Sequence, residues 1–179
     1  MLVTADHGMS DKSRMLHLPG ELARYGIKSR AVPVIKDRYV VHHSNLGGSI
    51  YVHLDNSADL KAALDALRNL DGVDGALPGE EAAQRFRLMP ERLGDILVLA
   101  DAATVFGDPS EVTMPLGLRS HGSAHETTVP IIGCGPGLDN DTGPARFHEN
   151  LDVGRYIFED VLPPRSGPKP NSLPLEGEG

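Results

Sequence analysis

The chain has one cysteine, no tryptophan and only 4% aromatic residues in 179. With Cys134 as the single thiol, no intramolecular disulfide can form, and a small secreted fold framed by disulfides is excluded. No apolar run approaches the ~20 residues that span a bilayer. The N-terminus shows no basic stretch leading into an apolar core, so no signal peptide is read there. Basic surplus is missing too: 17 Lys and Arg stand against 25 Asp and Glu, a formal net charge of -8. Such a balance argues against a nucleic-acid-binding surface and against attraction to anionic lipid. The expectation is a soluble cytoplasmic protein with no nucleic-acid or membrane partner. Its length allows one domain with a real core, and an acidic surplus suits a chain whose metal ions are not counted.

What is present is a mixture of strand and helix patterns. Met1 to Ala5 reads as a strand, followed by a polar loop from Asp6 to Leu18. Pro19-Gly20-Glu21 opens a short helix that Gly26 stops. Strands are predicted over Ala31 to Ile35, Tyr39 to His43 and Ser49 to Leu54, the last two as a hairpin turned by Asn45 to Gly48. Asn56-Ser57 caps a helix from Ala58 to Leu70 with Leu60, Leu64 and Leu67 on one face, ended by Asp71-Gly72. A strand over Val73 to Leu77 and a helix over Gly79 to Phe86 follow. Asp95 to Ala100 is apolar and branched enough for a strand buried on both faces. A loop then runs to His121, Thr127 to Gly133 is the last strand, and Leu151 to Leu162 the last helix. The order points to an α/β fold. Residues 1–32 and 90–162 would form a partial core with remnants of a parallel sheet, and residues 33–89 a small α+β cap-like insertion. The Pro-, Gly- and Ser-rich tail, 163–179, is expected to be disordered.

Chemistry concentrates in two places. Leu2-Val3-Thr4-Ala5 ends in Asp6-His7-Gly8-Met9, a strand that delivers a hard oxygen and a borderline nitrogen to a sheet edge, a mixture that suits zinc and its neighbours. Adjacent strand residues point to opposite faces, so both side chains reach one ion only if the strand has ended. Gly8, free to take positive φ, is read as the turn that ends it. The alternative is a strand terminus where Asp6 caps a turn and His7 is solvated. The second place is Leu118-Arg119-Ser120-His121-Gly122, followed by Val129-Pro130-Ile131-Ile132-Gly133.

The pairing of these stretches resembles the alkaline phosphatase superfamily, in the branch of type I phosphodiesterases and nucleotide pyrophosphatases. Gly94 to Asp101, Thr104-Val105-Phe106-Gly107, the Arg119-Ser120-His121-Gly122 run, Glu126 and Val129-Pro130 narrow the resemblance to phosphonoacetate hydrolases, over roughly residues 1–162. That resemblance implies the C-terminal half of an alkaline-phosphatase-like core. It also implies a two-zinc hydrolase acting on a small phosphonate or phosphate-ester substrate, cleaving phosphonoacetate to acetate and phosphate. Asp6 and His7 would belong to one ion and His121 to the other. The family's nucleophilic Thr, its early Asp and its Asp-x-x-x-His motif are expected upstream of Met1, so no catalytic nucleophile is assigned here.

Substitutes within the chain do not fit that pattern. Asp139-Asn140-Asp141 and Asp152 lack a suitably spaced His, and Thr4 and Thr104 qualify by residue type alone. His42, His43 and His125 read as surface histidines, Cys134 as a small core or loop residue, and Glu126 as a carboxylate that could orient a ligand His. With fewer than three ligands per ion, tight zinc binding and activity are not expected of this chain by itself. A sheet cut at its middle would aggregate or pair its exposed strands, a homodimer being the simplest case. Two rival readings remain open, a nucleotide pyrophosphatase or phosphodiesterase fragment and a non-catalytic binding module.

Overall fold

A computed structural model of the chain describes residues 1–34, 46–135, 138 and 146–162. In chain order the elements are β1 (Leu2–Thr4), β2 (Ser10–Asp11), β3 (Arg14–Leu16), α1 (Leu18–Ala23), β4 (Ser29–Pro33), β5 (Ser49–Leu54) and α2 (Leu60–Arg68). There follow β6 (Val73–Pro78), α3 (Gly79–Phe86), β7 (Ile96–Ala100), β8 (Thr104–Phe106), β9 (Arg119–Ser120), β10 (Ile131–Gly133) and α4 (Asn150–Tyr156). The chain divides into two compact units, one of Met1–Asp6 with Pro130–Gly179 and one of His7–Val129.

The larger unit is built on an antiparallel sheet of four strands in the order β4-β5-β7-β6. Strand β7 lies inside this sheet because its sequence is apolar on both faces. Ile96, Val98 and Ala100 point to one side, where Leu18 and Leu22 of α1 and Ala63, Leu64 and Leu67 of α2 cover them. Leu97 and Leu99 point to the other, against Leu77, Tyr51 and Ala82 of α3. The register sets Val98 beside both Ile50 and Ala76, so the inward rows of three strands coincide. Helix α2 is preceded by a 3₁₀ turn, Ser57–Asp59, whose first free N–H groups include that of Ala58, satisfied by the Asn56 side chain at 3.1 Å. A smaller cluster of Leu46, Val105 and Leu118, with Met15 and Met114, lies under the segments that lead to the candidate site.

The smaller unit pairs β1 with β10 antiparallel, Leu2 opposite Gly133 and Thr4 opposite Ile131. Asn150 at the start of α4 accepts from the Thr4 hydroxyl at 2.8 Å and donates to the Ala5 carbonyl at 2.8 Å, which fastens the helix to the strand. Helix α4 continues as a π-helical turn, Ile157–Val161. Among the described residues no helix is long and apolar enough to cross a membrane.

The mixed helix-and-sheet class, β5, α2, β6, α3, β7 and α4 follow the sequence reading. Several details do not. The supposed polar loop from Asp6 to Leu18 contains β2 and β3, and the loop before His121 contains β8 and β9. These strands exist through pairing with distant partners, β2 with β9 and β3 with β8. The outer pieces are not simple remnants of a parallel sheet: β1 and β10 are antiparallel, and β3–β8 is the parallel pair among the described residues. The last strand is confined to Ile131–Gly133. The preceding Pro130 has no N–H to donate to a ladder, and Ala124–Glu126 is a 3₁₀ turn. The main sheet takes β7 from the segment 90–162 and β5 and β6 from the segment 33–89, so it crosses that sequence-based boundary. The strand expected over Tyr39 to His43, Asp139-Asn140-Asp141 and the tail 163–179 lie outside the described residues.

The sheet makes a direct expectation. Ile96 is 0% exposed at the centre of the core, whereas Leu116 is fully exposed. Ile96→Ala should cost about 2–5 kcal/mol in chemical denaturation of the whole chain, and Leu116→Ala less than about 0.5 kcal/mol. Equal midpoints for the two variants would place the stability elsewhere than in this sheet.

Candidate functional site

Two histidines of the larger unit are brought together by the pairing of β2 with β9. Ser10 stands opposite Ser120 and Asp11 opposite Arg119, and Lys12 N–H extends the ladder to the Leu118 carbonyl at 2.8 Å. Because the strands are antiparallel, the chain before Ser10 and the chain after Ser120 leave the ladder at the same end. His7 and His121 therefore meet beyond it, their rings stacked with centroids 3.5 Å apart and planes 10° from parallel. His7 Nδ1 lies 2.9 Å from the Gly8 carbonyl. A carbonyl only accepts, so Nδ1 carries a proton in this contact.

The backbone around the stack is drawn tight. Gly122 sits at φ +108, and a Cβ there would meet the Gly48 nitrogen at 3.1 Å. That neighbouring segment is itself bonded to the turn, Gly48 N–H donating to the His121 carbonyl at 2.8 Å. Positive φ thus belongs to the glycine after His121. Gly8, expected to supply it, is not among the positive-φ glycines. What Gly8 provides is an N–H that donates to the Glu126 carbonyl at 2.7 Å.

Glu126 joins the two histidine segments through its side chain as well. It is 2% exposed. Its Oε1 accepts from Lys12 Nζ at 3.0 Å, a pair whose side chains are 0% and 1% exposed. Its Oε2 accepts from the Ser123 N–H at 2.8 Å and the Ser123 hydroxyl at 2.7 Å, and the Ser10 hydroxyl donates to the same carboxylate. Lys12 Nζ also donates to the Ala102 carbonyl at 2.9 Å. Burial alone would raise the Glu126 pKa, but the hydrogen bonds from Ser10, Ser123 and Lys12 outweigh it and hold the carboxyl down to about 2. Glu126, expected to orient a ligand histidine, instead has its carboxylate on a lysine and serines. Lys12, Ser10 and Ser123 escaped the sequence reading. The Ser123-x-x-Glu126 spacing is a capping-box signal that could have shown half of this network, and the box is formed.

The remaining candidates are divided between the two units. Asp6 is exposed and belongs to the smaller unit, one residue before His7 in the chain. His125 is exposed, its Nε2 2.5 Å from Asp74. Thr104 is fully buried and its hydroxyl accepts from Arg14 Nε at 3.0 Å, while Thr4 bonds to Asn150. Asp152 accepts from the His148 and Glu149 N–H groups at the start of α4. Cys134 is exposed beyond β10, a loop residue rather than a core one. His42 and His43 lie outside the described residues. Among the described residues no three His, Cys, Asp or Glu side chains converge on one point.

No protein-family model matches the chain. Among solved structures, it is similar to phosphonoacetate hydrolase from Sinorhizobium meliloti in complex with phosphonoacetate, at 32% identity and a TM-score of 0.67 over 80% of this chain. The same figures hold for that enzyme in complex with phosphonoformate. Murine ectonucleotide pyrophosphatase/phosphodiesterase 5 matches at 20% identity and a TM-score of 0.44, covering 68% of this chain and 29% of its own. The chain spans 38% of the length of the phosphonoacetate hydrolase.

The Glu126 network has a pH signature. The carboxyl titrates at about 2 in the fold and near its ordinary 4.5 when unfolded. Its pKa is lowered on folding, so its contribution is complete above about 4.5 and fades as pH falls toward about 2; the window is worth on the order of 3 kcal/mol. Denaturation midpoints of the parent chain should fall across that window, whereas Glu126→Gln should start lower and change less. Equal slopes for the two would mean that Glu126 is not an ionised, bonded carboxylate.

Proposed function

We propose that this chain, which belongs to the alkaline phosphatase superfamily, forms part of a metal-dependent hydrolase that cleaves the carbon–phosphorus bond of phosphonoacetate. The observation that supports this most is the His7–His121 stack. It joins the two sequence motifs of the superfamily in a chain 32% identical to a phosphonoacetate hydrolase that was crystallised with phosphonoacetate.

The donor chemistry fits a pair of divalent ions, with zinc the first choice. Imidazole nitrogen and carboxylate oxygen are both zinc ligands. His7 would contribute Nε2, since Nδ1–H is committed to the Gly8 carbonyl. That is the arrangement in which an outer partner fixes the tautomer of a ligating histidine. In this reading Asp6 and His7 serve one ion and His121 the other. When bound, such ions would neutralise phosphonate oxygens and activate the attacking nucleophile. The chain's own part is orientation: the Gly8 carbonyl sets the His7 ring, and the bond from Gly48 sets the turn at His121. The net reaction adds water across the C–P bond, the oxygen going to phosphorus and a proton to the departing carbon, to give phosphate and acetate. A cytoplasmic location and a small phosphonate as substrate belong to the same proposal.

The test joins this chain to the part of the Sinorhizobium meliloti enzyme that it does not span. The fusion should release phosphate from phosphonoacetate only with a divalent metal. His121→Ala or Asp6→Ala should lower turnover at least ~100-fold, the scale of losing one preorganised electrostatic element, while His125→Ala changes it little. A fusion that ignores phosphonoacetate and hydrolyses an aryl phosphodiester would replace this reading with the phosphodiesterase one. Full activity in His121→Ala on both substrates would reject the metal assignment.

A further inference from the structure

We infer that Lys12 and Glu126 are positioning residues that set the spacing and tilt of the two candidate ligand rings, His7 and His121. The inference rests on the reading of those histidines as ligands for its purpose, but its geometry is independent of any metal. Each ring sits on a short segment outside the main sheet. One buried carboxylate ties these segments together. Glu126 bonds to Ser10 and Lys12 on the His7 side and to Ser123 on the His121 side, and its own carbonyl takes the Gly8 N–H. The β2–β9 ladder is two residues long on each strand, so its backbone bonds alone define the crossing loosely. Lys12 anchors the assembly a second time, to the Ala102 carbonyl just beyond β7. A fully buried pair that bonds to both segments and to the Ala102 carbonyl is suited to holding a geometry. Replacing such a pair by apolar residues is often neutral for stability, whereas the pair fixes one arrangement of the segments it joins.

The experiment follows the histidine rings in the metal-free full chain by long-range proton–nitrogen NMR of 15N-labelled imidazoles. In the parent, His7 should report the Nδ1–H tautomer, and ring protons of His7 and His121 should carry the upfield displacement that face-to-face stacking produces. In Lys12→Met and in Glu126→Gln that displacement should be lost, while the rings of His17 and His53 and the methyl signals of Ile96 and Val98 stay in place. Unmoved His7 and His121 signals in either folded variant would overturn the inference. Should both variants unfold, Ser10→Ala and Ser123→Ala each remove one bond from the same carboxylate, and each should displace the two rings. No displacement in those variants would overturn it equally. Catalysis is scored separately in the fusion: a stack moved by the variants where the fusion is inert toward phosphonoacetate rejects the proposed reaction and not the positioning role, and an unmoved stack where the fusion is active rejects the positioning role alone.

Discussion

An ionised carboxylate can be buried only where donors replace its hydration, and the loops of the larger unit are arranged around satisfying one. Glu126 receives bonds from an ammonium, a serine N–H and two hydroxyls, and these donors come from two stretches of chain over a hundred residues apart. Remove any of them and a lone pair is left dry; remove the carboxylate and a buried ammonium loses its counter-charge and keeps its bond to the Ala102 carbonyl. The segments carrying His7 and His121 are thereby obliged to close on each other in one way. The same closure satisfies the backbone, through Gly8 to Glu126 and Lys12 to Leu118.

This closure is seated on the sheet rather than floating above it. Gly48, which holds the His121 carbonyl, leads directly into β5, and its own carbonyl accepts from Ala100 N–H at the end of β7 at 2.8 Å. Gly47 accepts from Phe106 N–H at 2.9 Å, which draws β8 to the same point. The register of β5 on β7, Ser49 opposite Leu99, therefore fixes where the His121 turn begins. Arg14 adds a polar brace from β3, bonding to Thr104, to Asp101 at 2.9 Å and to Asp71. The apolar core supplies a rigid floor, and a short chain of backbone bonds carries its position to the rings.

What could be read from the sequence divides along the range of the interactions involved. Helix α2 announces itself by local period, with Leu60, Leu64 and Leu67 on one face, and β7 by a short run that is apolar on both faces. Strands β2, β3, β8 and β9 have two or three residues each and no period to detect; they are strands because Arg14 meets Thr104 and Ser10 meets Ser120. The two histidines were legible as motifs, yet their contact depends on that undetectable ladder. Lys12 is the clearest case. In sequence it is one more charge in a polar loop, and its burial is decided by a carboxylate 114 positions away. Gly8 and Gly122 show the same limit: both follow a histidine, and it is Gly122, packed against Gly48, that takes positive φ.

The Lys12 ammonium also bears on the proposed chemistry. A lysine five residues from His7 would ordinarily be the first candidate to bind a phosphonate or carboxylate oxygen. Here its side chain is 0% exposed and held at 3.0 Å by Glu126 and at 2.9 Å by the Ala102 carbonyl. The pair is neutral as a whole and presents no ammonium to a ligand. Under the proposed reading, then, the negative charge of the substrate has to be met by the divalent ions and by residues other than Lys12. The contribution of residues 7–126 is to hold two imidazoles in a fixed relation. A charged side chain that neutralises its neighbour cannot also draw in the substrate, and in this unit that neighbour is the carboxylate joining the two histidine segments.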